Sequence, residues 1–129
     1  MSTDPVANEL LSLNQKLLNS IVAADWQTYQ ELCDPTLTCF EPEAAGHLVE
    51  GLPFHEFYFK LGGVQGEHET TMSSPHVRVM GDVAVLSYIR LNQRLNDDRS
   101  PVTRCVAETR VWQRLNGRWR HVHFHRSPA

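Results

Sequence analysis

Asn116-Gly117 divides the end of the chain into two runs of alternating character, 108–115 and 118–126. Asn-Gly is the strongest short hairpin signal, because a type I′ turn needs positive φ at both central residues. Two long strands must therefore lie antiparallel. Strict alternation puts Val106, Glu108, Arg110 and Trp112 on one face of the first strand. On the second it groups Arg120, Val122, Phe124 and Arg126, with Trp119, His121, His123 and His125 opposite. Arginines thus share faces with large apolar groups, which an ordinary solvated sheet does not need.

The rest of the chain fits helices followed by strands. Asp4-Pro5 reads as a helix cap and first turn, and Val6, Leu10, Leu13, Leu17 and Ile21 recur at helical spacing to about Ala24. Asp25 caps a short second helix with Trp26, Tyr29 and Leu32, ended by Asp34-Pro35. Residues 36–41 read as a short strand and 42–50 as turn. Leu52-Pro53 starts a third helix, with Phe54, Phe57, Tyr58 and Leu61 on one side. Gly62, Gly63 and Gly66 mark a loop. Residues 67–73 suit an edge strand, and 76–80 and 83–95 a hairpin about Gly81-Asp82. The fold class is α+β, with helices on one face of an antiparallel sheet. At 129 residues the chain is expected to be one domain over 1–129.

That sheet is too apolar for one layer of helices. Residues 83–95 carry Ala84, Leu86 and Tyr88 on one side and Val85, Ile89 and Leu91 on the other. The strand that follows has Val106 and Trp112 on one side, Cys105, Ala107 and Val111 on the other. A second apolar face wants a partner, so self-association is expected.

Arg90, Arg110 and Arg126 fall on three successive strands. Guanidinium groups roughly 7 Å apart at an effective dielectric near 20 repel by about 2 kcal/mol per pair. Convergence therefore requires carboxylates or a bound anion between them; separate surface partners are the alternative. Glu108 stands two residues before Arg110 on the same face. The candidate set for an anionic ligand is Arg90, Arg110, Arg126, Glu108, His55 and Tyr58. His121, His123 and His125 resemble a metal ladder but lack further ligands near in sequence, so no metal and no cofactor is expected. A net charge of −3 disfavours nucleic acid and anionic membranes. No apolar run has the ~18 residues a membrane span needs, and M-S-T-D-P is no signal peptide. Three cysteines read as free thiols in a reducing compartment, by default the cytoplasm. There is no G-x-S-x-G elbow, phosphate loop or C-x-x-C, and no acid–base pair beyond Glu108 and His55.

Several runs are longer than periodicity demands: C-D-P at 33–35, F-E-P-E-A at 40–44, L-V-E-G-L at 48–52 and F-H-E-F-Y-F at 54–59. M-G-D at 80–82, Y-I-R at 88–90, E-T-R-V-W at 108–112 and V-H-F-H-R-S at 122–127 continue the series. In order and across almost the whole chain, they resemble the association, or hub, domain of calcium/calmodulin-dependent protein kinase II. The resemblance implies a cone-shaped, nuclear-transport-factor-two-like fold, a curved sheet wrapped around helices. It implies a non-catalytic domain that dimerises and assembles into two stacked rings, commonly of twelve or fourteen subunits, that scaffold kinase subunits. It also implies a pocket with arginines matching Arg90, Arg110 and Arg126 and a histidine matching His55, which takes small carboxylates or the kinase's regulatory segment. The alternatives are an isomerase- or dehydratase-like enzyme of the same superfamily, or a carboxylate receptor. The chain departs from the family pattern in having no kinase segment before Met1, so an excised fragment or a stand-alone hub is expected, Met1 and the fitted helix cap favouring a natural start. It departs also at 62–66, where animal members carry an aromatic insertion over the pocket.

Overall fold

The computed structural model describes residues 4–129; Met1, on which the expected natural start rests, lies outside them. Asp4 caps the first helix, α1 (Pro5–Ala23), accepting hydrogen bonds from the Val6 and Ala7 amides. Ala24 closes it in the left-handed conformation. Asp25 then caps α2 (Trp26–Leu32) through the Thr28 amide. The helix ends before Asp34-Pro35, as expected, and the chain passes directly into β1 (Cys33–Phe40), which begins earlier than expected and contains Pro35. A 3-10 turn (Pro42–Ala44), β2 (Val49–Glu50) and α3 (Pro53–Phe59) follow. β3 (His68–Met80), β4 (Val83–Leu95), β5 (Pro101–Leu115) and β6 (Arg118–Pro128) complete the chain. β3 joins the two segments expected separately, with a register shift between Ser73 and His76. No described helix is long and apolar enough to cross a membrane.

The six strands form one curved sheet in the order β2-β1-β6-β5-β4-β3. Its pairings are antiparallel except that β1 runs parallel to β6, an addition to the all-antiparallel expectation. Asn116 and Gly117 both have positive φ, 52° and 79°, as a type I′ turn requires.

The concave face buries Ala84, Leu86, Tyr88 and Trp112 against Leu10, Leu17 and Leu18 of α1 and Tyr29 and Leu32 of α2. Each fully buried leucine contributes about 2 kcal/mol. Asn14, fully buried in α1, accepts from Trp112 Nε1 at 3.0 Å and donates to Tyr88 Oη at 3.0 Å. This fastens the helix to the sheet without an unpaired polar group. None of the described helices lies over the convex face. There Val85 stands opposite Val111, Ile89 opposite Ala107 and Leu91 opposite Cys105, all of them partly or fully exposed.

Strict alternation fails on β6. The register with β5 shifts between Val111↔His123 and Trp112↔His121, so Val122 is an extra residue. The bulge places His121 on the concave face with Phe124, their rings stacked at 5.6 Å. The expected grouping of His121 with His123 and His125, and of Val122 with Phe124, is corrected accordingly. On α3, the face expected to pack is also corrected. Phe57 and Leu61 are 61% and 71% exposed, while His55 is buried.

Candidate functional site

Arg90, Arg110 and Arg126 line one pocket of about 230 Å³ on the concave side. His55 and Tyr58 reach it from α3, Tyr29 from α2, and Phe59 and Phe124 supply apolar wall. Neighbouring strands bring the arginines together because each holds an inward position, the β6 bulge being what returns Phe124 and Arg126 to that side.

Glu108 does not line the pocket; it lies behind it, 2% exposed. Arg90 reaches Glu108 Oε2 at 3.3 Å, and Arg110 reaches Oε1 at 3.2 Å through both Nε and NH2. Tyr88 donates to Oε1 at 2.6 Å. Burial alone would raise the Glu108 carboxyl, but Arg110 and Arg90 pull it below its ordinary range. Burial lowers Arg90, partly offset by Glu108. Burial also opposes the charge on Arg110, yet Glu108 more than compensates and holds it above its usual value. Arg90 Nε further donates to Thr70 Oγ1 at 2.8 Å, and the Arg110 guanidinium lies 4.3 Å from the Phe124 ring centroid.

Arg126 is served by carboxylates that the strand-based expectation missed. It pairs with Glu43 and lies 3.8 Å from Glu41 Oε2. Both acids belong to the F-E-P-E-A run at the end of β1, whose two glutamates were the available signal. The pocket region thus holds three guanidiniums and three carboxylates. Arg126 is the most accessible of the three cations, its side chain 23% exposed. Glu41 also accepts from His55 Nε2 at 3.0 Å.

The histidine ladder is dispersed. His121, fully buried, faces Arg110 NH1 at 3.4 Å and Cys33 Sγ at 3.4 Å. Arginine cannot accept, so Nε2 is the acceptor and Nδ1 carries the proton. Burial, then Arg110, push His121 well below its ordinary value, keeping it neutral. His123 Nδ1 meets Thr38 Oγ1 at 2.8 Å. His125 is exposed. Burial pushes the Cys33 and Cys39 thiols up to about 12, so neither is a ready nucleophile.

Residues 6–129 match the family model described as the calcium/calmodulin dependent protein kinase II association domain. The chain is 44% identical over 122 residues to the calcium/calmodulin-dependent protein kinase type II subunit delta of Oryctolagus cuniculus. That match takes in 92% of this chain but only 23% of the relative's length. Among solved structures, the hub homology domain from Chlamydamonas reinhardtii superposes with TM-score 0.89 at 50% identity, over 96% of this chain and 98% of that one. A nuclear transport factor 2-like superfamily protein from Salmonella enterica shares the fold at TM-score 0.78 and 23% identity, over 98% and 93% of the two chains.

Proposed function

Because the chain belongs to the calcium/calmodulin-dependent protein kinase II association-domain family, we propose that residues 1–129 form a single, non-catalytic oligomerisation hub. Its protomers pair and assemble into a two-tiered ring of ten or more subunits that scaffolds kinase subunits. The observation that carries this reading is the uncovered convex face, where Val85 pairs with Val111 and Ile89 with Ala107 on either side of the polar pair Ser87 and Thr109, and Leu91 stands next along β4. A second apolar sheet face is stabilised by another copy of itself, and closed symmetry turns such contacts into rings. Holding kinase subunits on one ring raises their local concentration and favours phosphorylation between neighbours. Native mass spectrometry tests the assembly: a species of ten or more protomers is expected, and a monomer at micromolar concentration overturns it.

A second role, compatible with the first, rests on the arginine pocket. Its volume of about 230 Å³ suits a short-chain carboxylate or one acidic side chain of a docking segment. Arg90 and Arg110 are committed to Glu108, so the incoming anion engages Arg126 in competition with Glu41 and Glu43, beside His55 and Tyr58. Calorimetry with short-chain carboxylates should give heats that R126A abolishes; equal heats would remove the pocket from this role. An isomerase-like reaction is the weaker alternative, since Glu108, locked by two arginines and Tyr88, is a poor general base.

A further inference from the structure

Three side chains beside the pocket meet in a way that the pairing of cations with carboxylates does not require. Cys39 Sγ lies 3.6 Å from His55 Nε2, and Glu41 Oε1 lies 3.0 Å from the same nitrogen. The three donor atoms all fall within 4.8 Å of one another. Cys39 and Glu41 are two residues apart at the end of β1 and share a side, and His55 comes from the first turn of α3. His55 Nδ1 is buried without a hydrogen-bond partner, so the polar groups that orient this ring are all at Nε2.

The geometry points to a zinc(II) site built by Cys39, Glu41 and His55, with its fourth position open to the arginine pocket. Thiolate, imidazole and carboxylate are zinc donors. Tetrahedral bonds of about 2.3 Å to sulfur and about 2.0 Å to nitrogen set the sulfur–nitrogen separation at about 3.5 Å. The imidazole–carboxylate separation has to widen by about 0.4 Å to reach the same geometry, within reach of a side-chain rotation. Glu41 and His55 line the pocket whereas Cys39 lies behind them, so the vacant tetrahedral direction faces the cavity. Arg110 and Arg126 oppose a cation here. A thiolate and a carboxylate neutralise the ion's two charges, however, and Arg126 keeps Glu43 when Glu41 turns to the metal. On binding, the Cys39 proton leaves to solvent through the pocket and the imidazole proton resides on Nδ1. The fourth position then takes water or the carboxylate of a pocket ligand.

The site is independent of ring assembly and is tested on the full chain, stripped of metal, with Cys105→Ser removing the exposed thiol. Titration with zinc against a chromophoric chelator should give one ion per protomer. C39A and H55Q should each weaken it by more than the roughly tenfold to hundredfold that loss of an outer-shell partner costs. Cobalt(II) should give a near-ultraviolet thiolate-to-metal charge-transfer band that C33A keeps and C39A loses. Circular dichroism and native mass establish that each variant is folded; if C39A is not, the wild-type and C33A cobalt spectra decide. Unchanged affinity in C39A, or a cobalt complex without the thiolate band, overturns the proposal, as does zinc that fails to bind.

Discussion

Replacing Glu108 by Gln leaves Arg90 and Arg110 buried with no charge between them. Removing one partner of a buried ion pair costs about 3–5 kcal/mol, because the remaining cation cannot be rehydrated. E108Q should lose stability on that scale in urea unfolding. R126A should lose less, about 1 kcal/mol, since Glu43 is 39% exposed and water replaces that contact, while the buried Glu41 keeps His55 at 3.0 Å. Equal losses would mean that Glu108 is not what holds the two buried cations. His121 adds a pH signature. Its folded value lies well below the ordinary 6.5, so the unfolded chain takes up the proton first as pH falls. The stabilisation is complete above about 6.5 and declines below it by about 1.4 kcal/mol per pH unit for one proton. Glu108 acts in a lower window: its contribution is full above the ordinary 4.5 and is lost as pH falls through its depressed folded value. Between pH 7 and 5, H121N should flatten the stability profile relative to wild type; identical slopes would assign the dependence elsewhere.

At the scale of elements, two glycines act for different reasons. Gly117 has φ +79° with nothing within 4 Å of an added Cβ. G117A therefore costs only the backbone conformation, about 1 kcal/mol. Gly63 passes over the end of α1, where an added Cβ would lie 2.6 Å from the Val22 carbonyl oxygen and 2.7 Å from the Ala23 carbonyl carbon. Those are backbone atoms of a helix terminus that also takes the Val64 amide at 2.8 Å, so they cannot give way cheaply. G63A should be the more destabilising of the two in thermal unfolding; a smaller effect would mean that the loop is free to lift. What was legible in sequence follows the same division. Caps at Asp4 and Asp25, the Asn116-Gly117 turn and the inward arginines are local signals, and they appear where expected. The Val122 bulge is not local: it arises where β6 must pair with β5 and with β1 at once. One extra residue reverses every face before it. The facing of α3 was equally hidden. A two-turn helix offers Phe54, Phe57, Tyr58 and Leu61 as plausibly as His55 and Phe59, and only the pocket beneath it decides. Glu41 ends the short strand expected over 36–41, whose pairing with β6 no local signal announces, and Glu43 falls in the turn after it, so Arg126 had no visible partner.

For the molecule as a whole, the decisive surface is the side of the sheet that its own helices do not reach. Ile89 sits near the middle of it, 37% exposed, between Ser87 and Leu91 on the convex side of β4. Its cross-strand partner is Ala107, small enough to leave Ile89 standing proud. In an isolated protomer Ile89→Asp costs about 1 kcal/mol, through lower strand propensity at a position that is 37% exposed. In an assembly that buries this face, the carboxylate is desolvated without a partner, at each symmetry-related contact, at a cost of several kcal/mol apiece. The two situations separate cleanly. I89D should keep its circular dichroism and lose no more than about 1 kcal/mol of protomer stability while native mass spectrometry shows the large species replaced by dimers or monomers. The defect should deepen as pH rises through the ordinary aspartate range and the side chain ionises. An I89D protein that retains the wild-type mass at neutral pH would place the subunit contacts on another surface, and the exposed rows of β4 and β5 would then need a different occupant.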